Sequence, residues 1–364
     1  MVRFTYEISA IRGGVFIPFL WQVSISRLNY KLIHKEEVDT KQTTLPMIAI
    51  LMAVYNGATF LESQIVSVLE QNYPNFRLYI RDDGSTDGSV GILEEMARQF
   101  PDKIVLLQDE TKRLGVIGNF HRLLGYIERS GLEPYIMLSD QDDVWFPDKI
   151  EVTLHQMLET EGWAGQETPV LIHTDLCVTN TNLEILDTSF WHFQHIDPSR
   201  NGLPQICMQN TVTGCTVMMN RALFQKALPF PEGVLMHDWW LGLVASAFGE
   251  IRFVSRATMY YRQHGNNHLG ATVFDLSHVY KSSLRLRSSS EFWRSLQPVQ
   301  HQAELFLTAF KNELPPNTVE DLQLFSRMTA HTRIIQRLQI TFIRRFCRHG
   351  WLRNLGLAVR LFFF

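Results

Sequence analysis

Three carboxylates fall within four positions, Asp140, Asp142 and Asp143, between the apolar run Tyr135-Ile-Met-Leu138 and Trp145. Acids this close repel one another unless a positive charge sits among them. An apolar run of strand length that delivers them to a sheet edge marks a site for a divalent cation. Oxygen ligands alone favour a hard ion, Mg²⁺ or Mn²⁺, which keeps waters and completes its shell with phosphate oxygens. The competing reading is an acidic turn capping the helix that starts near Pro147-Asp148-Lys149.

The elements around this cluster decide between the two. Met47 to Val54 is a continuous apolar run, the mark of a strand buried on both faces, and Tyr55-Asn56-Gly57 breaks it. A helix pattern follows over 58–71, then a short strand at Arg77–Arg81 that ends in Asp82-Asp83-Gly84-Ser85-Thr86-Asp87. A helix over 89–100, a strand over 104–107, the loop Arg113 to Asn119 and a helix to about Arg129 lead to the strand at 135–139. Alternation of this kind predicts an α/β domain with a mostly parallel sheet, in which ligands sit beyond the carboxyl ends of the strands. Tyr55-Asn56, Asp82-Asp83 and Asp140-Asp142 lie at three such ends and should share one crevice. Further on, Val170–Asp175 and Asn210–Met219 read as strands, the second with Gly214 where another group can approach closely. His237-Asp238-Trp239-Trp240 opens a helix with Asp238 as a candidate N-cap, and short strands over 251–254 and 258–262 precede Gln263-His264-Gly265-Asn266-Asn267. From about Leu276 the pattern is helical.

Residues 46–270 resemble the family 2 glycosyltransferases, inverting sugar-nucleotide-dependent enzymes with the GT-A fold. The matching pieces, in order, are Ala53-Val-Tyr55-Asn56-Gly57, Asp82-Asp83-Gly-Ser-Thr-Asp87, Leu114-Gly115 with Asn119, Ser139-Asp140-Gln141-Asp142-Asp143, Gly214-Cys215, and His237-Asp238-Trp239-Trp240. The wording around Trp145, Asp238 and His264 is most similar to the rhamnosyltransferase branch, whose members build bacterial surface polysaccharides. The resemblance implies a Rossmann-like GT-A domain over 46–272. An extension of unassigned role would cover 1–45, and a helical C-terminal region 273–364.

It also implies roles. Asp142, with Asp140 or Asp143, would hold Mg²⁺ or Mn²⁺, and a late histidine, His264 with His268 as competitor, would join them. Asp83, with Asp82 beside it, would meet the pyrimidine or ribose of a nucleotide-sugar near Ala53, Tyr55 and Asn56, while Arg113, Asn119, Asp140 and Gln141 would face the donor. Capping the next helix is the alternative for Asp87. Asp238 would be the base, since inversion needs a group opposite the leaving phosphate to take the acceptor hydroxyl's proton. His237 stands where the family often has Glu. The acceptor side would include Gly214, Cys215, His237, Trp239, Trp240 and Trp145, the tryptophans being divided between sugar platforms and packing. The Gln-x-x-Arg-Trp motif of processive synthases is missing, which favours transfer of one or a few sugars. A sugar nucleotidyltransferase on a similar layout would need a glycine-rich start between Val54 and Phe60, which is absent. A catalytically silent glycan-binding or scaffold protein is opposed by Asp140, Asp142 and Asp238.

The rest of the chain sets the surroundings. Net charge is −3 over 364 residues, with no general pull toward nucleic acid. Yet from Leu322 to Phe364 there are eight Arg and no Lys, Asp or Glu, interleaved near the end with aromatics and aliphatics. Too charged to span a bilayer, this tail suits a helix lying in an anionic membrane interface, with packing against the catalytic domain as the alternative. A membrane-borne, lipid-linked glycan acceptor would fit it. The four cysteines show no pairing pattern, consistent with a reducing compartment. The apolar patch Val15–Val23 holds Pro18 and Gln22 and is too short to span. The expected location is therefore cytoplasmic, peripheral on the inner face of the cell membrane.

Overall fold

The computed structural model describes residues 45–131, 133–264 and 288–364. Residues 1–44 of the N-terminal extension, the boundary at 272, His268, Gly265-Asn266-Asn267 and all of 273–287 lie outside the described residues.

Strand β1 (Ile48–Val54) sets the architecture. Ile48, Ile50, Met52 and Val54 point into one core and Ala49 and Leu51 into another, so both faces of the strand are covered. It pairs in parallel with β2 (Phe76–Asp82) and β4 (Tyr135–Ser139), and β2 pairs in parallel with β3 (Ile104–Leu106). Helices α1 (Leu61–Leu69) and α2 (Ser89–Gln99) follow β1 and β2, and α3 (Gly115–Ser130) follows β3. This half agrees with the expectation to within a few residues at each end.

Beyond β4 the sheet becomes mixed. The short β5 (Val144–Trp145) leads into α4 (Lys149–Ala164), and β6 (Val170–Thr179) is followed by β7 (Ile185–Asp187), α5 (Phe190–Gln194) and α6 (Leu203–Met208). Strand β8 (Met218–Asn220), α7 (Arg221–Ala227), α8 (His237–Phe248) and β9 (Glu250–Arg262) come next. The order across the sheet is β3-β2-β1-β4-β8-β6-β9-β5, with β7 on β6. Strand β8 runs antiparallel to β4 and β6, whereas β6 and β9 are parallel. This is the GT-A arrangement that the resemblance implies.

Two expectations needed correction. Residues 210–219 are not one strand: 210–213 are irregular, 214–216 form a 3₁₀ turn, and only Met218–Asn220 pairs. The two strands expected between 251 and 262 are one long β9, whose register against β6 shifts at Thr174, Asp175 and Cys177.

The C-terminal helices are α9 (Ser289–Phe310), α10 (Pro316–Ser326), α11 (Ile334–Leu338) and α12 (Trp351–Phe363). Phe306 and Phe310 from α9 meet the ring of Trp240 on α8, and Phe325 stacks on Phe346 at 4.4 Å between centroids. Leu357 and Leu361 of α12 belong to the same core as α3 and α8. Residues 45–364 accordingly form one compact unit. Arg337 is buried, donating to the carbonyls of Thr332, Ala330 and Leu361, and Arg344 pairs with Asp321. Arg337 is therefore structural, while Arg344 holds its ion pair partly at the surface. The outer side of α12 differs: Trp351, Leu355, Val359, Phe362 and Phe363 follow helical spacing and are all exposed, Trp351 at 73% and Phe363 at 74%. No helix among the described residues is long and apolar enough to cross a membrane.

Candidate active site

The carboxyl ends of β1, β2 and β4 open on a cavity of about 770 Å³. Ala53, Tyr55, Asp83, Arg113, Asn119, Asp140, Gln141 and Asp142 line it from the parallel half, and Gly214, His237 and Asp238 from the mixed half. Eleven residues singled out in the sequence thus meet in one space.

Each wall has a local cause. Asn56 takes φ of 49°, a left-handed turn that asparagine tolerates, and ends β1 sharply. Gln141 clamps that turn to the end of β4, accepting from the Tyr55 amide at 2.8 Å and donating to its carbonyl at 3.1 Å. Gly57 leaves room for this clamp, since a Cβ there would lie 2.5 Å from Gln141 Oε1. Asp83 sits at the start of α3, accepting from the amides of Leu114 and Gly115 at 3.0 and 2.8 Å, where a carboxylate offsets the helix dipole. Behind it Arg81 is buried in β2, pairing with Asp83 at 3.0 Å and Asp109 at 2.8 Å and donating to Asn119. Sequence reasoning passed over Arg81; its signal was an arginine alternating inward on a buried strand.

The acidic cluster is graded by depth. Asp140 and Asp142 reach the cavity, while Asp143 lies fully buried, its Oδ2 without a hydrogen-bond partner among the described residues. Burial, then repulsion from Asp142 and Asp238, pushes the Asp140 carboxyl up to about 7. Burial, followed by repulsion from Asp142 and Asp140, drives Asp143 well above the usual carboxylate range. His264 Nε2 lies 2.8 Å from Asp142 Oδ2, so the late histidine does join the acids. Cys215 Sγ is grouped with carboxylate oxygens of Asp140 and Asp143, all within 4.8 Å. Its thiol is held strongly protonated, chiefly by burial, which makes it a poor ligand. A buried oxygen without a partner among the described residues and acids raised by burial and then by one another are what a hard divalent cation would relieve, so the residues fit one.

Asp238 lines the same cavity from the first turn of α8. Its Oδ1 accepts from Asn210 Nδ2 at 3.1 Å and from the Trp239 amide at 2.6 Å, and its Oδ2 from the Gly214 amide at 2.9 Å. Met236, not Asp238, is the N-cap. Burial raises the Asp238 carboxyl to about 6 against those three bonds, poising it to change protonation near neutrality. Gly214 lets both groups approach closely, since a Cβ there would stand 3.0 Å from His237 Nε2 and 3.4 Å from Asp238 Oδ2. His237 stacks on Phe120 at 4.2 Å, and burial holds its imidazole neutral, down to about 3.

Other expected site residues lie outside the cavity lining. Asn56 and Asp82 are occupied with the turn itself: Asn56 Oδ1 accepts from the Thr86 amide, and Asp82 Oδ2 from the amides of Gly84 and Ser85. Asp87 caps the start of α2 through Ser89 and accepts from the Ala58 amide. Trp145 is buried beneath Lys149, whose Nζ lies 4.8 Å from the ring centroid, so it has no face for a sugar. Trp240 is buried with its indole N–H on the Ala227 carbonyl, and Trp239 donates to Ile206 O while packing on the same core. Cys215 is likewise behind the lining. The sequence reading missed Asn210, Thr211, Thr213 and the outer wall of Phe190, Gln194 and Ile196. Nothing in those positions distinguishes them from ordinary loop residues.

Residues 49–206 match the profile of Glycosyl transferase family 2. Those residues carry a glycosyltransferase domain of that family. This glycosyltransferase is 27% identical over 230 residues to the dTDP-rhamnosyl transferase RfbG of Shigella flexneri, covering 61% of its own length and 74% of that protein. It is 26% identical over 254 residues to an uncharacterised glycosyltransferase of Nostoc sp., covering 67% and 74%. Among solved structures, a mannosyltransferase of Pyrobaculum calidifontis in complex with GDP-Man and Mn²⁺ aligns over 88% of this glycosyltransferase and 86% of that chain, at 16% identity and a TM-score of 0.48.

Proposed function

We propose that this glycosyltransferase is inverting and metal-dependent, moving L-rhamnose from dTDP-L-rhamnose to a lipid-linked glycan in bacterial surface polysaccharide synthesis. The observation that carries the reaction type is the pairing, across one cavity, of an acidic cluster suited to a cation and a separate raised carboxylate, Asp238. The sugar and its carrier are supported by the RfbG relative and by the sequence branch. Asp83, Arg113 and Asn119 would hold the nucleotide, with Tyr55 over the mouth. Asp142 with Asp140, His264 or Asp143 would hold Mg²⁺ or Mn²⁺, which would neutralise the leaving diphosphate.

The acceptor hydroxyl oxygen would attack the anomeric carbon as its proton passes to Asp238 Oδ2. The bond to the diphosphate oxygen would break on the opposite side, its electron pair leaving with the phosphate. Asn210 and the Gly214 amide hold the carboxylate, and Oδ2, with one bond accepted, keeps a lone pair for that proton. His237, stacked and neutral, would line the acceptor side. We further propose that the exposed face of α12 rests on the inner surface of the cell membrane, because five large apolar side chains on one helix face have no cover among the described residues.

A panel of nucleotide-sugars tested by thermal shift with and without Mn²⁺ checks the donor. A rise with dTDP-L-rhamnose that requires the metal is expected. A larger metal-dependent rise with another nucleotide-sugar would replace that donor, and equal shifts with and without Mn²⁺ would remove the metal.

A further inference from the structure

A second cavity, of about 470 Å³, opens between residues 199–205, which lead into and begin α6, and the segment that precedes α12. Ser199, Arg200, Asn201, Gln205, Phe342, Arg345 and Cys347 line it together with Gly202, so it presents two guanidinium groups, several neutral donors and no carboxylate. Arg200 is fixed there, with Nη2 3.0 Å from Cys347 Sγ and Nη1 3.4 Å from the Arg348 carbonyl. Arg345 is exposed, adopts φ of 64°, and has no ion pair among the described residues. The positive charge continues behind it. Burial, and then Arg348, bring the Arg353 guanidinium down to about 10, and burial followed by Arg360 lowers Arg348. Asp197, beside Arg200, and Glu320 and Asp321, on Arg344, offset part of this charge, but Arg345, Arg348, Arg353 and Arg360 leave the sum positive.

One wall is apolar. Phe342 lines the cavity, and the next residue, Ile343, is 71% exposed. A ligand matching these surfaces is an anion at one end and hydrocarbon at the other.

The cavity also adjoins the active site. The stretch 194–210 supplies Gln194, Ile196 and Gln209 to the large cavity and 199–202 and Gln205 to the small one. The tail holds that stretch directly: the Asp197 amide donates to His349 Nδ1 at 3.1 Å, the His349 amide to Gln209 Oε1 at 3.0 Å, and Arg353 Nη2 to the Gln194 carbonyl at 2.8 Å.

We propose that the cavity between Arg200 and Arg345 binds the phosphate group of a membrane lipid, with the lipid's hydrocarbon leaving over Phe342 and Ile343, beside the outer wall of the active site. Paired guanidinium groups are suited to phosphate through several charge-assisted hydrogen bonds. The proposal rests on the membrane reading above and deepens it by naming the group recognised.

The test uses full-length protein and titration calorimetry with dihexanoyl phosphatidate below its micelle concentration, which needs neither a bilayer nor α12. Inorganic phosphate and dihexanoylglycerol are the comparison ligands. Phosphatidate is expected to bind at least about tenfold more tightly than either. Arg345→Gln should weaken it by about tenfold, the loss of one charge-assisted contact. Arg345→Lys should recover most of the affinity, and nucleotide binding in the large cavity should be unchanged in both variants. Arg200→Gln, accepted only if its melting temperature matches wild type, should act in the same direction. Equal affinity for inorganic phosphate would reduce the site to an adventitious ion only, and equal affinity for dihexanoylglycerol would leave an apolar patch. Unchanged phosphatidate binding in Arg345→Gln would overturn the proposal. Failure of α12 variants to leave vesicles, with phosphatidate binding intact, would instead count against the membrane reading.

Discussion

Replacing Asp238 by Asn separates its proposed chemistry from its structural work. The native carboxylate accepts three hydrogen bonds, two on Oδ1 and one on Oδ2. An asparagine carbonyl can keep the two from Asn210 and Trp239, but its amide then faces the Gly214 N–H, donor against donor. That mismatch costs about 1–3 kcal/mol. Against it stands the charge: a carboxyl raised from 3.8 to about 6 is destabilising when ionised, by about 3 kcal/mol well above pH 6. The sign follows from the raised value: stability is favoured below the unfolded carboxylate range and declines as pH climbs through about 6. Asn removes that decline. The two effects nearly cancel at pH 8, so the variant should melt within a few degrees of wild type and bind donor normally. Turnover should nonetheless fall by about 10²–10⁴-fold, the usual contribution of a positioned base. In wild type, kcat/KM should drop about tenfold per pH unit below about 6, where Asp238 is protonated and cannot accept. Donor binding by calorimetry and transfer by product chromatography make the comparison. Turnover within tenfold of wild type, in a variant shown to be folded, would refute the base assignment.

Asp142→Asn, which changes a carboxylate facing both the cavity and His264, should weaken Mn²⁺-dependent donor binding by at least about tenfold, and unchanged calorimetry would remove Asp142 as a ligand. Arg81→Met leaves Asp83 and Asp109 without their buried partner and should lower stability by about 3 kcal/mol in urea titration. An unaltered urea midpoint would show that the arginine is not the anchor of that wall. The triple substitution Trp351→Ser, Leu355→Ser and Phe363→Ser changes only exposed side chains and should reduce binding to anionic vesicles by about 100-fold in flotation assays, since each apolar group contributes at least about 1 kcal/mol when buried in lipid. Full retention on vesicles would leave the α12 face for another partner.

The parallel half of the fold was legible because its signals are local. An apolar run broken by Tyr55-Asn56-Gly57, and acids at the ends of three successive strands, need only the rule that ligands gather beyond the carboxyl edge. Eleven cavity residues followed from that rule and from the resemblance. The tryptophans at 145, 239 and 240 were not decidable in sequence, because an indole serves core packing and sugar stacking equally well. Burial beneath Lys149 decides it for Trp145 and burial against α9 for Trp240, while the partly buried Trp239 is tied to the core by its bond to Ile206 O. Asn210 and Arg81 were hidden for a related reason: their importance lies in partners 28 residues away in each case, Asp238 and Asp109.

The tail shows the same division most clearly. Its composition alone established a positive, acid-free, amphipathic segment. Only the tertiary structure determined which of its sides is spent on the core, through Leu357, Leu361 and Phe346, and which is left bare from Trp351 to Phe363. Residue types set what a segment is able to bury or to bind. Which of those capacities is used depends on long-range packing, because the same apolar side chain gains equally from any surface that removes it from water.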